Sequence, residues 1–540
     1  MSTKDFSTDV RKYIEPKQVR SAIDEVLSGP LADQFFSGHF YLGGEHQEFP
    51  NSWQKEQVDS KLVLGVHESV PLLKCRSRQV ELIGIGDIFN WRLPNASAQE
   101  IMDDFVADVS DVTEIIRKSK ILSGRWVMIA KDQKRSVIFG DAWHSFAIYH
   151  GFDTKGRWWA ASSPKLIGTP GTQELDEDIA HGVSPKLHAK SGGQYPVHIT
   201  PFRHICCLLP NHCLDLVEQK AQRHWPYEKI KPVELVEASR IAAHQISQQI
   251  LAMSQRYRLS CGLTAGTDSR LLLASLHHNN IQFDGFTSIL DHWCHEHHFD
   301  VQVSEKLVER LGLKRQLIRA PEELSPDIDA LFRACIYRPS WAHNRLAASY
   351  LTWPLRSTMN VIGWGSEINQ RAWDIPDRDK PFKSDYLKCI DVPIQSPARD
   401  AVLSWAEETQ QLRNDFGYQM FDLLFWEVRL GRFSATSLSD MNLIQKTVPA
   451  FNCREWFELI LGATKSKMQP AVKMYSLMTK ELAPSINTFD INPGLDKLSF
   501  NKWLRHSAIK NVRVLLKGVG LYRPLKNCLF ERNLRRVRSS

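Results

Sequence analysis

Residues 259–270 read LSCGLTAGTDSR. An apolar strand-like run ends in small residues and passes directly into RLLLASLHHNN, whose apolar positions recur at helical spacing. This is a strand, a tight turn and a helix. After Leu263, the backbone amides of Thr264, Ala265, Gly266 and Thr267 are placed to wrap an anion, and the helix that follows adds its positive end. Glycine and alanine let a phosphate approach the backbone closely. Asp268 is the odd member, because a carboxylate beside a phosphate repels it unless a divalent cation lies between them. The segment therefore points to Mg²⁺ with pyrophosphate. It has no lysine where the GxxxxGK[ST] loop needs one. The plainer alternative is a strand-to-helix turn with Asp268 as its cap.

Towards the carboxyl terminus follow FDGFTSI (283–289) as a strand and FDVQVSEKLVERLG (299–312) as a helix. The order strand, helix, strand, helix predicts a parallel α/β domain. Beyond Ala320 helical periods dominate, interrupted by the strand NVIGW (360–364). Towards the amino terminus, residues 232–257 place Leu235, Ala238, Ile241, Ala242, Ile246, Ile250 and Met253 at helical spacing, with Pro232 suited to a first turn. RHWPYEKIKP (223–232) reads as a linker. Before it, GRWVMIAKD, SVIFGD, FAIYHG and RWWAAS recur about every ten residues between 124 and 162, as in an antiparallel meander. HICCLLPNHCLDLVEQ (204–219) adds two strand-like pieces around a Pro-Asn turn. The expected division is 1–231, 232–504 and a tail, 505–540.

The chain has 540 residues, 43% hydrophobic and 24% charged, as ordinary globular proteins do. No stretch approaches the roughly 20 apolar residues of a membrane helix, and MSTKDFSTDVRKYIEP has no signal-peptide core. The ten cysteines form no CxxC pair and read as reduced thiols of a cytoplasmic protein. Of the net charge of +7, the tail alone carries +9, with ten Lys or Arg and one Glu, so the rest is near −2. A nucleic-acid partner is not expected. The tail mixes apolar and basic residues, which implies peripheral contact with an anionic inner membrane surface or a basic helix packed on the domain. The composition is compatible with a homo-oligomer. His292, Cys294, His295, His297 and His298 in DHWCHEHHFD match no metal-ligand spacing, so the segment reads as a polar loop rather than a zinc site.

The loop resembles the asparagine synthetase family, whose SGGxDS motif falls on Thr264, Ala265, Gly266, Thr267, Asp268 and Ser269. Further likenesses follow in order. Asp300 stands twelve residues before Gly312. VIGWGSEI, with Gly363, Gly365 and Ser366, is similar to the family's GxGSDE segment, and Glu367 takes the place of its Asp. VPAFNCREWFELIL resembles the PFLD block, and the segments between 124 and 225 are similar to the amino-terminal sandwich. The resemblance covers about residues 120–485. It implies an α/β chain, with a degenerate Ntn-hydrolase-like antiparallel sandwich followed by a parallel α/β domain of the adenine-nucleotide α-hydrolase type. It also implies ATP and Mg²⁺ as cofactors, with Asp268 and Glu367 as metal ligands and a loop acid as the plainer reading of Glu367. The activity implied is amide formation through an acyl-adenylate, from a carboxylate substrate and an amine or ammonia. A surface-polysaccharide or specialised-metabolite acid is the expected substrate.

Departures narrow this expectation. The family's glutaminase uses an amino-terminal cysteine whose free α-amine serves as base, whereas this sequence begins Met-Ser-Thr. That resembles the β-lactam synthetase and lasso-peptide cyclase branches, which lack glutaminase activity. Trp364 stands where the β-lactam branch has a tyrosine and amide-forming relatives a glutamate, and tryptophan cannot relay a proton. The family's late lysine has only Lys480 and Lys497 as candidates. The rival readings are a non-catalytic nucleotide-binding scaffold and a pyrophosphatase-loop enzyme of sulfur or nucleotide modification. On this reading, incubation with labelled glutamine releases no glutamate, and turnover that survives replacement of every cysteine would reveal another nucleophile.

Overall fold

The structure, a computed structural model, describes residues 11–44, 53–182, 195–290, 294–338, 341–352, 357–369, 383–390, 392–463 and 471–488. Lys497, His292 and the 505–540 tail lie outside them. At a coarse level the fold is mixed α/β, with two antiparallel sheets and one parallel sheet. Twelve strands build the antiparallel part: β1 Phe40–Gly43, β2 Trp53–Gln57, β3 Val63–His67, β4 Leu72–Arg76, β5 Glu81–Asn90, β6 Leu122–Lys131, β7 Ser136–Gly140, β8 Tyr149–Phe152, β9 Trp158–Ala161, β10 Ile205–Cys207, β11 His212–Asp215 and β12 Lys220–Arg223. One sheet has the order β10-β8-β9-β1-β3-β2 and the other β12-β11-β7-β6-β5-β4. Phe40, Leu42, Leu64 and Val66 of the first meet Ile83, Ile85, Val127, Ile129 and Ile138 of the second in a buried layer. The outer face of the second sheet is covered by helices Ala98–Ala107 and Val112–Lys118, through Ile101, Met102, Phe105 and Ile115.

The expected single meander is split between the two sheets. β6 pairs with β7 and β8 with β9, but β7 and β8 belong to different sheets. The cause is Asp141, a buried carboxylate that accepts the amides of Trp126 (3.1 Å) and Ser145 (2.7 Å) and the Ser145 hydroxyl (2.7 Å). It turns the chain off one sheet, and Phe146 and Ile148 then bury between the two. The Pro-Asn turn makes the reverse crossing from β10 to β11, with Asn211 at φ +69°.

Residues 223–232 are not a free linker. Arg223 closes β12 and Trp225 is fully buried against Tyr418 and Trp426, with ring centroids 4.5 and 4.6 Å apart. The Trp225 indole donates to Glu458 at 2.7 Å. The following helix, Leu235–Ser254, starts three residues after Pro232 because the Glu234 side chain caps it, accepting the amides of Val236 and Glu237. Of its seven apolar positions only Ile241 is not fully buried.

The parallel sheet contains β13 Leu259–Gly262, β14 Phe283–Ile289, β15 Arg315–Arg319, β16 Met359–Ile362 and β17 Thr447–Pro449, in the order β15-β14-β13-β16-β17. The chain builds outward from β13 on one side and then returns to add β16 and β17 on the other. The winding therefore reverses between β13 and β16, and the loops leaving these two strands diverge from a common crevice. No described helix is long and apolar enough to cross a membrane, and the nine described cysteines form no disulfide.

One apolar core joins both halves, including Tyr41, Trp143, Tyr149 and Trp159 of the sandwich with Trp426, Phe451 and Trp456 beyond it. Within it, the fully buried Glu427 accepts from Arg223 (2.5 and 3.1 Å), Asn211 (2.8 Å) and the Trp405 indole (2.8 Å). Replacing Glu427 by Ala leaves the largely buried Arg223 guanidinium with only the exposed Glu408 carboxylate, 2.9 Å from its Nε, and leaves Asn211 and the Trp405 indole without their acceptor, so it should cost about 3 kcal/mol. Urea unfolding of the full chain checks this, and a loss below about 1 kcal/mol would show that Arg223 finds another partner.

Candidate functional site

The site is built from the two loops that leave the sheet at its reversal. In the first, the helix Thr267–His278 begins with Gly266 at its N-cap, so Thr267, Asp268 and Ser269 form its first turn rather than the preceding loop. Asp268 suits that position because a carboxylate favours the positive end of a helix. In the second, β16 ends in Gly363, Trp364 and Gly365, followed by the short helical turn Ser366–Asn369.

The structure brings Asp268 and both loops together. A side chain added at Gly266 would meet one Asp268 carboxylate oxygen at 2.8 Å, and one added at Gly363 would meet the other at 2.6 Å. Both glycines are required because the carboxylate lies against their backbones. Gly365, at φ +98°, lets the second loop turn so that its amide donates to Glu367 at 3.1 Å. Asp268 and Glu367 each keep some surface open to solvent, yet protein atoms crowd both carboxyls. Burial pushes Glu367 up to about 7, and the neighbouring Asp268 charge adds to the effect. Burial likewise raises Asp268, with Asp300 contributing. Two acids whose ionisation is disfavoured by burial and by like charge form an all-oxygen donor set, which suits a hard divalent cation such as Mg²⁺.

The first loop is knitted by its own oxygens. Thr264 and Ser269 hydroxyls lie 2.8 Å apart, the Thr264 amide donates to the Ser269 hydroxyl at 3.2 Å, and the Gly266 amide donates to the Thr264 hydroxyl at 3.2 Å. The Ala265 amide donates to Asp300 at 2.7 Å. Three of the four amides expected to cradle an anion thus hold oxygens of the chain, one of them a carboxyl oxygen of Asp300. A phosphate entering here exchanges these contacts for its own.

Three contributors were not foreseen. Asp300, noted in the sequence only as a landmark, reaches the loop from the helix Phe299–Leu311. Tyr475, fully buried, donates to the Ser366 carbonyl. Arg429, from a π-helical stretch Phe425–Ser434, places positive charge near Glu367 and lies over the Phe433 ring at 3.7 Å. Only the four-residue spacing of Arg429 and Phe433 was visible beforehand, and it does not point to Glu367.

Lys480 is not brought to the acids. It is exposed near the end of the helix Ala471–Leu482, whose Tyr475 reaches Ser366 while its Leu482 carbonyl lies 3.2 Å from His278, at the far end of the Thr267–His278 helix. Lys480 makes no hydrogen bond or ion pair with Asp268 or Glu367. Trp364 is half-buried, packed against the core.

No protein-family model matches the chain, and no curated protein matches it. Among solved structures it is similar to a glutamine phosphoribosylpyrophosphate amidotransferase from B. subtilis complexed with ADP and GMP. The two are 10% identical over 64% of this chain and 72% of that one, with a TM-score of 0.22. It is also similar to an allosteric regulatory enzyme of purine biosynthesis, 8% identical over 56% and 64% of the respective chains, with a TM-score of 0.20. TM-scores this low carry no argument about fold or activity.

The acid pair has a pH signature. The Glu367 carboxyl is raised from 4.5 to about 7 by folding, so the folded state prefers its protonated form. That contribution to stability is full below about pH 4.5 and is lost as pH rises through about 7. Glu367→Gln should therefore be more stable relative to the parent at about pH 8 than at about pH 5, in urea titrations at both values. Parallel behaviour at the two pH values would contradict the crowding of Glu367.

Proposed function

We propose that the chain is an ATP-dependent ligase that activates a carboxylate as an acyl-adenylate and passes it to an amine or ammonia. The observation that supports this reading best is the meeting of Asp268 and the Gly363–Glu367 loop where the parallel sheet reverses its winding, the place where α/β sheets bind nucleotides. The resemblance of the segments between 124 and 225 to the family's amino-terminal sandwich belongs to the same reading.

The roles divide as follows. Thr264 and Ser269 offer hydroxyls, and the start of the Thr267–His278 helix offers amides, to the β and γ phosphates. Asp268 and Glu367 would hold Mg²⁺, which supplies positive charge against the phosphates as pyrophosphate departs. Arg429 adds a fixed cation beside Glu367. The substrate carboxylate attacks the α phosphorus and the bond to the bridging oxygen of pyrophosphate breaks. The amine nitrogen then attacks the acyl carbon, AMP leaves, and the amine proton goes to a base that none of the placed residues supplies. A polysaccharide-linked or specialised-metabolite acid remains the favoured substrate class.

One observation favours the second reading, a nucleotide-binding scaffold. Asp300 already holds the Ala265 amide that an anion would need. The two readings part on chemistry. The ligase exchanges labelled pyrophosphate into ATP when pooled candidate carboxylates are supplied, yielding AMP rather than ADP. Asp268→Asn should lower that exchange by about 10²- to 10³-fold, the usual loss of one electrostatic contact in a transition state, with folding retained. Nucleotide binding without exchange in any pool supports the scaffold, and ADP release without exchange contradicts the ligase.

A further inference from the structure

The segment after β14 carries a second cluster of metal-ligating side chains. Reciprocal backbone hydrogen bonds pair Leu290 with Cys294 (2.8 and 3.0 Å), and Cys294 lies near the start of the helix Phe299–Leu311. A second turn, from His295 to His298 (2.9 Å), brings the His298 ring to the same place as the helix N-cap. One atom each of the Cys294 thiol, the His298 imidazole and the Asp300 carboxylate all lie within 4.8 Å of one another.

The possible ligand atoms of this trio converge. His298 Nδ1 lies 3.2 Å from the Asp300 amide nitrogen and 3.3 Å from an Asp300 carboxylate oxygen, so the ring and the carboxyl are held side by side. The other carboxylate oxygen is fixed by the Ala265 amide at 2.7 Å, which orients Asp300 as outer hydrogen bonds orient metal-ligating carboxylates. Cys294 is buried, with Ile289 and Val301 packed against it, so its sulfur is screened from water. The His298 ring is held against Phe299 with centroids 3.9 Å apart.

We propose that Cys294, His298 and Asp300 form a zinc site with one open position, distinct from the all-oxygen pair Asp268 and Glu367. Sulfur, imidazole nitrogen and carboxylate oxygen are the ligand classes Zn²⁺ takes, and three protein ligands with a fourth position open are characteristic of exchangeable or catalytic zinc rather than of closed structural sites. His295 is exposed, with its ring 6.0 Å from that of His298. The pattern Cys-x₃-His-x-Asp has no established ligand spacing, which is why the sequence reading set zinc aside. The site follows from the two turns that fold the segment back on itself. It does not depend on the ligase reading, because Zn²⁺ at Asp300 would brace the Ala265 amide whether or not ATP is turned over.

The test uses the full chain with Zn²⁺ and Co²⁺ as probes. The parent should retain about one equivalent of zinc through dialysis. With Co²⁺ it should show a near-ultraviolet thiolate charge-transfer band, which the all-oxygen pair cannot produce. Cys294→Ser should abolish the band, and His298→Asn should weaken Zn²⁺ by more than the 10- to 100-fold lost with an outer-shell partner alone, with far-ultraviolet circular dichroism unchanged. Absence of the band from the folded parent overturns the proposal, as does a band that survives in Cys294→Ser or unchanged affinity in His298→Asn. If the variants fail to fold, the parent's cobalt spectrum decides. A proton shared by His298 and Asp300, with no metal bound, is the outcome that would replace it.

Discussion

The carboxylate of Glu427 is the constraint around which both halves are organised. It is fully buried, and burial alone would hold it protonated. The Arg223 guanidinium, followed by the charge of His212 and the Asn211 amide, outweighs that and lowers its pKa. Its partners come from the end of β12, from the turn that returns the chain between sheets, and from Trp405 on the helix Arg399–Phe416. Because Glu427 lies in the π-helical stretch, the same anchor sets where the next residues point. Arg429, two positions on, contributes its charge to Glu367, and Gly431 lies so close to Pro210 that a side chain there would collide with the proline ring. A wide helical turn of this kind, common where helices serve a site, is thus held by an ion pair to the sandwich.

Concentrating acids at the sheet reversal works against folding. Asp268, Glu367 and Asp300 influence one another, and the first two are pushed towards their neutral forms. The compensating interactions lie around them: a knitted hydroxyl loop, the Gly365 amide on Glu367, and Tyr475 clamping the Ser366 carbonyl. Local conflict of this kind, surrounded by well-satisfied structure, is where sequences commonly depart from the most stable arrangement in favour of chemistry.

The parallel sheet was legible because its strands and crossover helices have different hydrophobic periods, and because the LSCGL run opens into a helix with no room for anything but a turn. The sandwich was harder. Its strands were visible as apolar runs, but sheet membership depends on Asp141, whose hydrogen bonds link residues up to fifteen positions apart. RHWPYEKIKP looked polar and proline-rich, and nothing in it announced that Trp225 would find Tyr418 and Trp426 almost two hundred residues later. At the site, Asp268 and Glu367 were picked out by motif order. Arg429, Tyr475 and the Asp300 contact were not, because each arises from packing between distant segments that carries no local period.

The shared core bears on how such a chain can change over time. Tyr41, Trp143, Tyr149 and Trp159 lie in the same apolar mass as Trp426, Phe451 and Trp456, and Asp87 of the sandwich binds both Lys446 (2.9 Å) and Tyr257 (2.6 Å). Deleting the sandwich would strip aromatic surface from its neighbour and strand Glu427 without its guanidinium. The buried face of the amino-terminal half is therefore also a face of its neighbour, and a substitution there acts on both halves at once.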